Sequence, residues 1–390
     1  MRRPLGESCA PPLVLGEATL RLHAVPSVTL EAARGLPAVP RDGVALVGTD
    51  RAAPLATDHA RAVPDGNRAA TLTTDPVRAW GRTWALGVKG VGAGGPLYGD
   101  DPLDGLDGGR ALRPIVRESW MGESPYGAQG APNARAALAR TEESEEGVLF
   151  GMPICPVVRV VRVPEALVEP GHHYRAYHGE IVQEHRLVPS NLRLFHGTGR
   201  GLGQAPGHFC ELLALRNKNA IYRFVEVLLS TGLGALTLFA ASLRAGDRGL
   251  EGLDFDDAWL DKDTLVAPDG SVHFVDLESL DWVAVRDAPE AHARMTRQLA
   301  RNAYDLLWVA DALLRVAERN DDERPSDAVR RGRLVELFLS GAALEGTRRS
   351  PRVALAATGD GLDLVLSPGI VPPLTLPLID RRSSSPGAPS

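Results

Sequence analysis

The chain has 390 residues, 44% of them hydrophobic, enough for a sizeable core and two lobes. Its formal net charge of -6 arises from 43 Lys and Arg against 49 Asp and Glu, a mixed balance that argues against a nucleic-acid or polyanion binder. No apolar run approaches the roughly 20 residues that span a bilayer, so no membrane partner is expected. Cys9, Cys155 and Cys210 are too scattered for a metal knuckle or a disulfide framework. The opening stretch, Met1 to Leu20, carries two arginines but no uninterrupted apolar core, so no signal peptide is expected and the setting is read as reducing and cytoplasmic.

Residues 1–60 hold short apolar runs at 13–15, 19–22 and 44–47, broken by Pro and Gly, which read as edge strands without chemistry. Thr71-Leu72-Thr73 and Thr83 to Lys89 read as further strands, and a Gly/Asp-rich loop follows Lys89. The stretch 110–139 is expected to be helical at its start, with Ile115, Val116, Trp120 and Met121 at helical spacing. Glu142 to Glu146 reads as a solvated acidic loop, and Pro156 to Val163 as a strong strand. Strand-like segments continue from Ile181 to Arg193 around Pro189-Ser190-Asn191. Two helices are expected at 211–230 and 235–245, a long one at 292–319 and another at 334–339. The stretch 353–378 returns to strands, and the Ser/Pro-rich residues 381–390 read as a disordered tail.

Between the helices lies the stretch with the clearest chemistry. Thr264 to Ala267 and Ser271 to Val275 flank Pro268-Asp269-Gly270, a β-hairpin with a turn tripeptide. Asp261 and Asp263 enter its first strand, and Asp276 and Glu278 leave its second. A hairpin brings its ends together, so these carboxylates are expected at one mouth, either as a solvated acidic rim or as oxygen ligands for Mg²⁺ or Mn²⁺. Three further features bear on the choice. Lys89 ends a strand and is followed by Gly90-Val91-Gly92, where a lysine can reach nucleotide phosphates and the backbone can approach closely. Such a cleft lysine is expected to add little to stability. Glu118, on the first predicted helix, stands where a kinase-like fold holds its strand lysine. Arg186 and Arg193 lie seven residues apart and suit a polyphosphate if they converge, or an exposed strand if they do not. The histidines at 172, 173, 178 and 185 lack zinc-site spacing, and no G-x-S-x-G motif occurs.

A β-rich first half with one helix, then helices, an acidic hairpin and more helices is the order of a two-lobed, protein-kinase-like α+β fold. The divisions expected are an N-terminal extension at 1–60, a β-rich N-lobe at 61–165 and a mainly helical C-lobe at 166–380.

KGVGAGGPLYG, DGGRALRPIVRES, GMPICPVVRVV and HRLVPSNLRLF, in that order, resemble segments of the selenoprotein O/YdiU family of kinase-like protein adenylyltransferases. The likeness runs from about Lys89 to Asp276, roughly half the chain, and the seven-residue spacing of the arginines is part of it. Where the family has Asp-Tyr-Gly, this chain has Asp276-Leu277-Glu278. The resemblance implies ATP- and Mg²⁺-dependent transfer of AMP to Ser, Thr or Tyr hydroxyls of protein substrates. Lys89 would contact phosphates with Glu118 holding it, Arg186 and Arg193 would grip the outer phosphates, and Asp276 would ligate the metal. The family's base and second metal ligand fall near Asp261 to Thr264 in one of two registers. Either Asp263 is the base and Thr264 takes the ligand position, or Asp263 is the ligand and Asp261 the base. Ordinary phosphoryl transfer, and a pseudokinase acting as a scaffold, are the other functions open to such a chain.

Overall fold

A computed structural model describes residues 20–24, 28–36, 44–46, 59–65, 69–72, 76–89, 129–149, 152–162, 181–198, 206–241, 244–246, 249–255, 263–285, 306–319, 353–358, 361–366 and 374–380. The fold is mixed α+β, built on antiparallel sheets with few helices among the described residues. The first seven strands are β1 (Leu20–Ala24), β2 (Val28–Ala32), β3 (Val44–Leu46), β4 (His59–Asp65), β5 (Ala69–Leu72), β6 (Val77–Ala79) and β7 (Arg82–Lys89). They are followed by β8 (Gln129–Gly130), the helix Ala131–Glu142, β9 (Val148–Leu149), β10 (Met152–Pro153), β11 (Val157–Arg162) and β12 (Ile181–Val188). One sheet joins most of these in the order β2-β11-β12-β7-β5-β4-β1-β3, with β6 paired to β7 and β8 to β12.

The sheet crosses both boundaries expected at residues 60 and 165. β1, β2 and β3 belong to it, and β12 lies at its centre between β11 and β7. The reason is visible in the side chains of β12, where Val182, Leu187 and Val188 are all fully buried, as a central strand requires. One face of the sheet packs Ala70, Leu72, Val77, Trp84, Leu86, Val88, Val158 and Leu187 into a single apolar cluster. The helix Ala131–Glu142 packs against β11 and β12 through Ala134, Ala137, Leu138 and Thr141, whose hydroxyl accepts the Val157 N–H at 2.8 Å.

After residue 200 the order is partly helical. Pro206–Leu212 is a short helix, ended by Ala214 in the left-handed region (φ 54°), where a C-cap usually has Gly. Asn217 then caps the next helix, its side-chain oxygen accepting the Ala220 N–H at 2.9 Å. That helix, Lys218–Ala241, is continuous, in place of the two pieces expected at 211–230 and 235–245. Gly232 and Gly234 lower helix propensity by about 1 kcal/mol each, yet the helix runs through both. The helix described at 306–317 falls inside the one expected at 292–319. The helices expected near 115–121 and at 334–339 lie outside the described residues.

The acidic hairpin is β15 (Thr264–Val266) and β16 (Val272–Phe274), preceded by β13 (Arg244–Gly246) and β14 (Gly249–Phe255) and followed by β17 (Leu280–Val285). β14 pairs with β17, so a second antiparallel pair brackets the hairpin. Residues 353–380 form a three-stranded meander, β18 (Val353–Thr358), β19 (Gly361–Leu366) and β20 (Leu374–Asp380).

Candidate functional site

The site begins with the register of two strands. β12 runs antiparallel to β7 with Val188 opposite Ala85, Arg186 opposite Gly87 and Glu184 opposite Lys89. Side chains two apart share a face of a strand, so these six residues line the same side of the sheet. At its apolar end Ala85 and Val188 pack with Cys155 and with Leu265 and Val275 of the hairpin. Two steps along, the face turns ionic. Gly87 leaves room for that change, because a Cβ there would meet Val188 Cγ1 at 2.9 Å and Arg186 Cγ at 3.3 Å. The arginine lies across the glycine.

The hairpin is seated on this face by main-chain bonds from both sides. Cys155 N–H donates to the Phe274 carbonyl at 2.7 Å, Val266 N–H to Leu192 at 2.8 Å, and the Ser190 hydroxyl to the Val266 carbonyl at 2.7 Å. Val275 N–H closes the hairpin's mouth on the Asp263 carbonyl at 2.9 Å. The next residue is Asp276, whose φ of 57° is left-handed, a conformation Asp tolerates better than most residues and one frequent at functional sites. The turn swings its carboxylate, and that of Glu278 in the 3-10 turn Leu277–Ser279, back towards the sheet.

There they meet Lys89. The ammonium donates to Asp276 Oδ1 at 2.6 Å and to Glu278 Oε1, while Arg186 Nη1 donates to the same Asp276 oxygen at 3.1 Å. Lys89 and Arg186 are each 1% exposed. Glu184 completes the cluster from beneath, fully buried with Oε1 3.8 Å from Arg186 Nη1. Burial pushes its carboxyl up to about 7, with the Lys89 and Arg186 cations pulling it down and the Glu278 and Asp276 carboxylates pushing it up.

The structure thus brings together Lys89, Arg186, Asp276 and Glu278. It corrects two expectations about them. Lys89 is not a cleft lysine of little consequence to stability, since its removal would strand two carboxylates in a partly buried cluster. The mouth also does not gather Asp263, Asp276 and Glu278 as a three-carboxylate cation site, and no group of three or more His, Cys, Asp or Glu does so among the described residues. An ammonium takes the central place instead. Asp263 is 7% exposed and Thr264 fully buried, both at the start of β15. Arg193 is half-buried in the segment after β12, its backbone bridged to Leu265 and its N–H donated to His196 Nδ1 at 2.9 Å. Asp261, Gly90, Gly92 and Glu118 lie outside the described residues.

A divalent cation carried in by a triphosphate needs only one or two protein carboxylates. Asp276 and Glu278 fit that need, and Glu278 Oε2 is buried without a hydrogen-bond partner among the described residues, an oxygen available to a hard ion.

Sequence reasoning missed Glu184, Gly87 and Arg82. Arg82, at the start of β7, locks the hairpin tip. It donates to Asp269 Oδ2 at 3.0 Å, to His273 Nε2 at 3.1 Å and to the Ser271 hydroxyl at 3.3 Å. Burial works against the Asp269 charge, but the Arg82 guanidinium and the Ser271 hydrogen bonds hold its carboxyl below the usual value. Burial and then Arg82 drive His273 down to about 3. Only the i, i+2 spacing of Glu184 with Arg186 could have signalled the first of these residues. The other two depend on which strands pair.

No protein-family model matches the chain, and no curated protein does.

Proposed function

We propose that this chain is a kinase-like nucleotidyltransferase with two lobes, binding ATP with Mg²⁺ and transferring AMP to Ser, Thr or Tyr hydroxyls of proteins. The observation that carries the reading is the buried Lys89 ammonium, held at the end of a sheet strand by an aspartate that follows an acidic hairpin. Kinase-type sites use a strand lysine for the phosphates and an aspartate after a hairpin for the metal. In the ligand-bound state Lys89 and Arg186 would turn from Asp276 to phosphate oxygens. Asp276 and Glu278 would then hold the cation, which supplies charge neutralisation on the phosphates. The acceptor oxygen would attack the α-phosphorus, the bond to the β-phosphate oxygen would break, and pyrophosphate would leave. Asp263 or Asp261 would take the hydroxyl proton.

Two features support AMP over the terminal phosphoryl group. No His-Arg-Asp catalytic loop occurs in the sequence, and the likeness to the selenoprotein O segments includes the Arg186 and Arg193 pair. With the β- and γ-phosphates gripped by arginine, charge on the leaving pyrophosphate is stabilised where it develops. A second reading, a pseudokinase scaffold, is favoured by one observation. The cluster pairs its own cations with its own carboxylates, so it needs no ligand to be neutral. Incubation with protein acceptors and ATP labelled at either the α- or the γ-phosphate separates these readings. Label entering protein from the α position is expected. Label from the γ position alone would make the chain a kinase, and label from neither would leave the scaffold.

A further inference from the structure

Glu184 has no part in the reaction just described, yet it is the most deeply buried acid beside the site. Its strand register sets it opposite Lys89 and two residues from Arg186 on the same face. The charged groups that face it are Lys89 from β7, Arg186 from its own strand, and Asp276 and Glu278 from the segment after the hairpin. The helix packed over β11 and β12 offers none, because its buried side chains are Ala131, Ala134, Ala137, Leu138 and Thr141. Within the described residues, therefore, the sheet and the hairpin supply the carboxylates around Lys89 and this helix does not.

We infer that Glu184 is a positioning residue of the nucleotide site, a buried counter-charge that keeps Lys89 and Arg186 aimed at the phosphates. The inference rests on the nucleotide reading. Asp276 and Glu278 meet these cations through Oδ1 and Oε1, and whatever charge they lend to a metal is withdrawn from Lys89 and Arg186. Once they turn to the cation, Lys89 and Arg186 would stand in a buried place with only the ligand's phosphates for company. Two such cations bind a triphosphate tightly, but they hold the leaving pyrophosphate equally tightly. A carboxylate beneath them, out of the ligand's reach, orients both groups and tempers that grip. The proposed role therefore concerns turnover more than affinity.

The test is Glu184→Gln, which keeps the shape and removes the charge. In α-label transfer from Mg-ATP, kcat is expected to fall at least tenfold while KM for Mg-ATP stays level or falls, and Glu184→Asp should recover part of the loss. A merely structural glutamate would not split the two constants in this way. A second measurement needs no activity. Removing one member of a buried ion pair strands the other, whereas removing both does not. The melting temperature of Glu184→Gln with Arg186→Met should thus be no lower than that of the worse single variant. Glu184→Gln with kcat within twofold of wild type would overturn the positioning role alone. Fully additive losses of melting temperature would overturn the counter-charge. A wild-type protein indifferent to Mg-ATP in binding and transfer would overturn the nucleotide reading, and the positioning role with it.

Discussion

Gly87 shows how a single residue sets the site. A strand glycine normally weakens its sheet, and here the missing Cβ is the space in which Arg186 crosses β7. Gly87→Ala would press on Val188 and on the arginine stem, moving the guanidinium away from Asp276. Misplacements of about 1 Å cost up to about a hundredfold in positioned chemistry. The expected outcome is Mg-ATP binding weakened by about tenfold in calorimetry, with the protein still folded. Unchanged affinity would mean that Arg186 does not touch the nucleotide. Asp276 is set by a different constraint, its left-handed backbone, which Asn would also accept and a β-branched residue would not. That constraint and the short side chain together fix where the carboxylate sits. Lys89, Arg186, Asp276 and Glu278 were legible as candidates because each belongs to a local pattern of known chemistry. Glu184 and Gly87 were not, because each acquires its meaning from the residue across the sheet.

Among elements, the hairpin was the most legible, since Pro268-Asp269-Gly270 between two apolar runs admits little else. Gly270 has a φ of 89°, and Asp269 folds the turn by accepting the Ser271 N–H at 3.0 Å. β7 and β11 were legible for the same reason, as runs rich in β-formers. The pairing of β14 with β17 was not, because a strand reading LEGLDF carries no alternation to mark it. The helix Lys218–Ala241 runs unbroken through Gly232 and Gly234, where the sequence predicts a gap between 230 and 235. The hairpin's anchor to β7 has a consequence for pH. His273 accepts from Arg82 and His185 from Arg159, so both rings are neutral, and burial together with these cations pushes each down to about 3 from an ordinary 6.5. Between those values the unfolded chain binds their protons and the folded chain does not, so stability falls as pH drops. Glu184 acts in the opposite sense between 4.5 and about 7, where the folded chain takes up its proton first. Two histidines against one glutamate leave roughly one proton, on the order of 1.4 kcal/mol per pH unit. Urea unfolding at pH 6.5, 5.5 and 4.5 should show stability declining in that order, and His185→Gln should nearly flatten the decline. Stability that rises on acidification would contradict the burial of neutral histidines.

At the scale of the whole molecule, one antiparallel sheet gathers strands from residue 20 to residue 188, and the hairpin from residue 264 onward is bonded to segments on either side of its central strands. Ile154 and Cys155 hold it on one flank, and Ser190 to Arg193 on the other. The α+β character was legible from the alternation of short strands with helical stretches. The extent of the sheet was not, since strand order depends on which buried faces meet, and β12 is separated from β7 by nearly a hundred residues of chain. This seating fixes the distance between Lys89 and Asp276 without help from a ligand, so the cations and carboxylates stand ready at one point. The most direct test of that point is the melting temperature with and without Mg-ATP, in the wild type and in Asp276→Asn, which keeps the backbone turn and removes the charge. A nucleotide site saturated at a hundredfold over its Kd gains about 2.7 kcal/mol, a rise of about 3 °C in a chain of this size. The wild type is expected to show that rise and Asp276→Asn to lose most of it. A wild-type melting temperature unmoved by Mg-ATP would contradict a nucleotide site at Lys89 and Asp276.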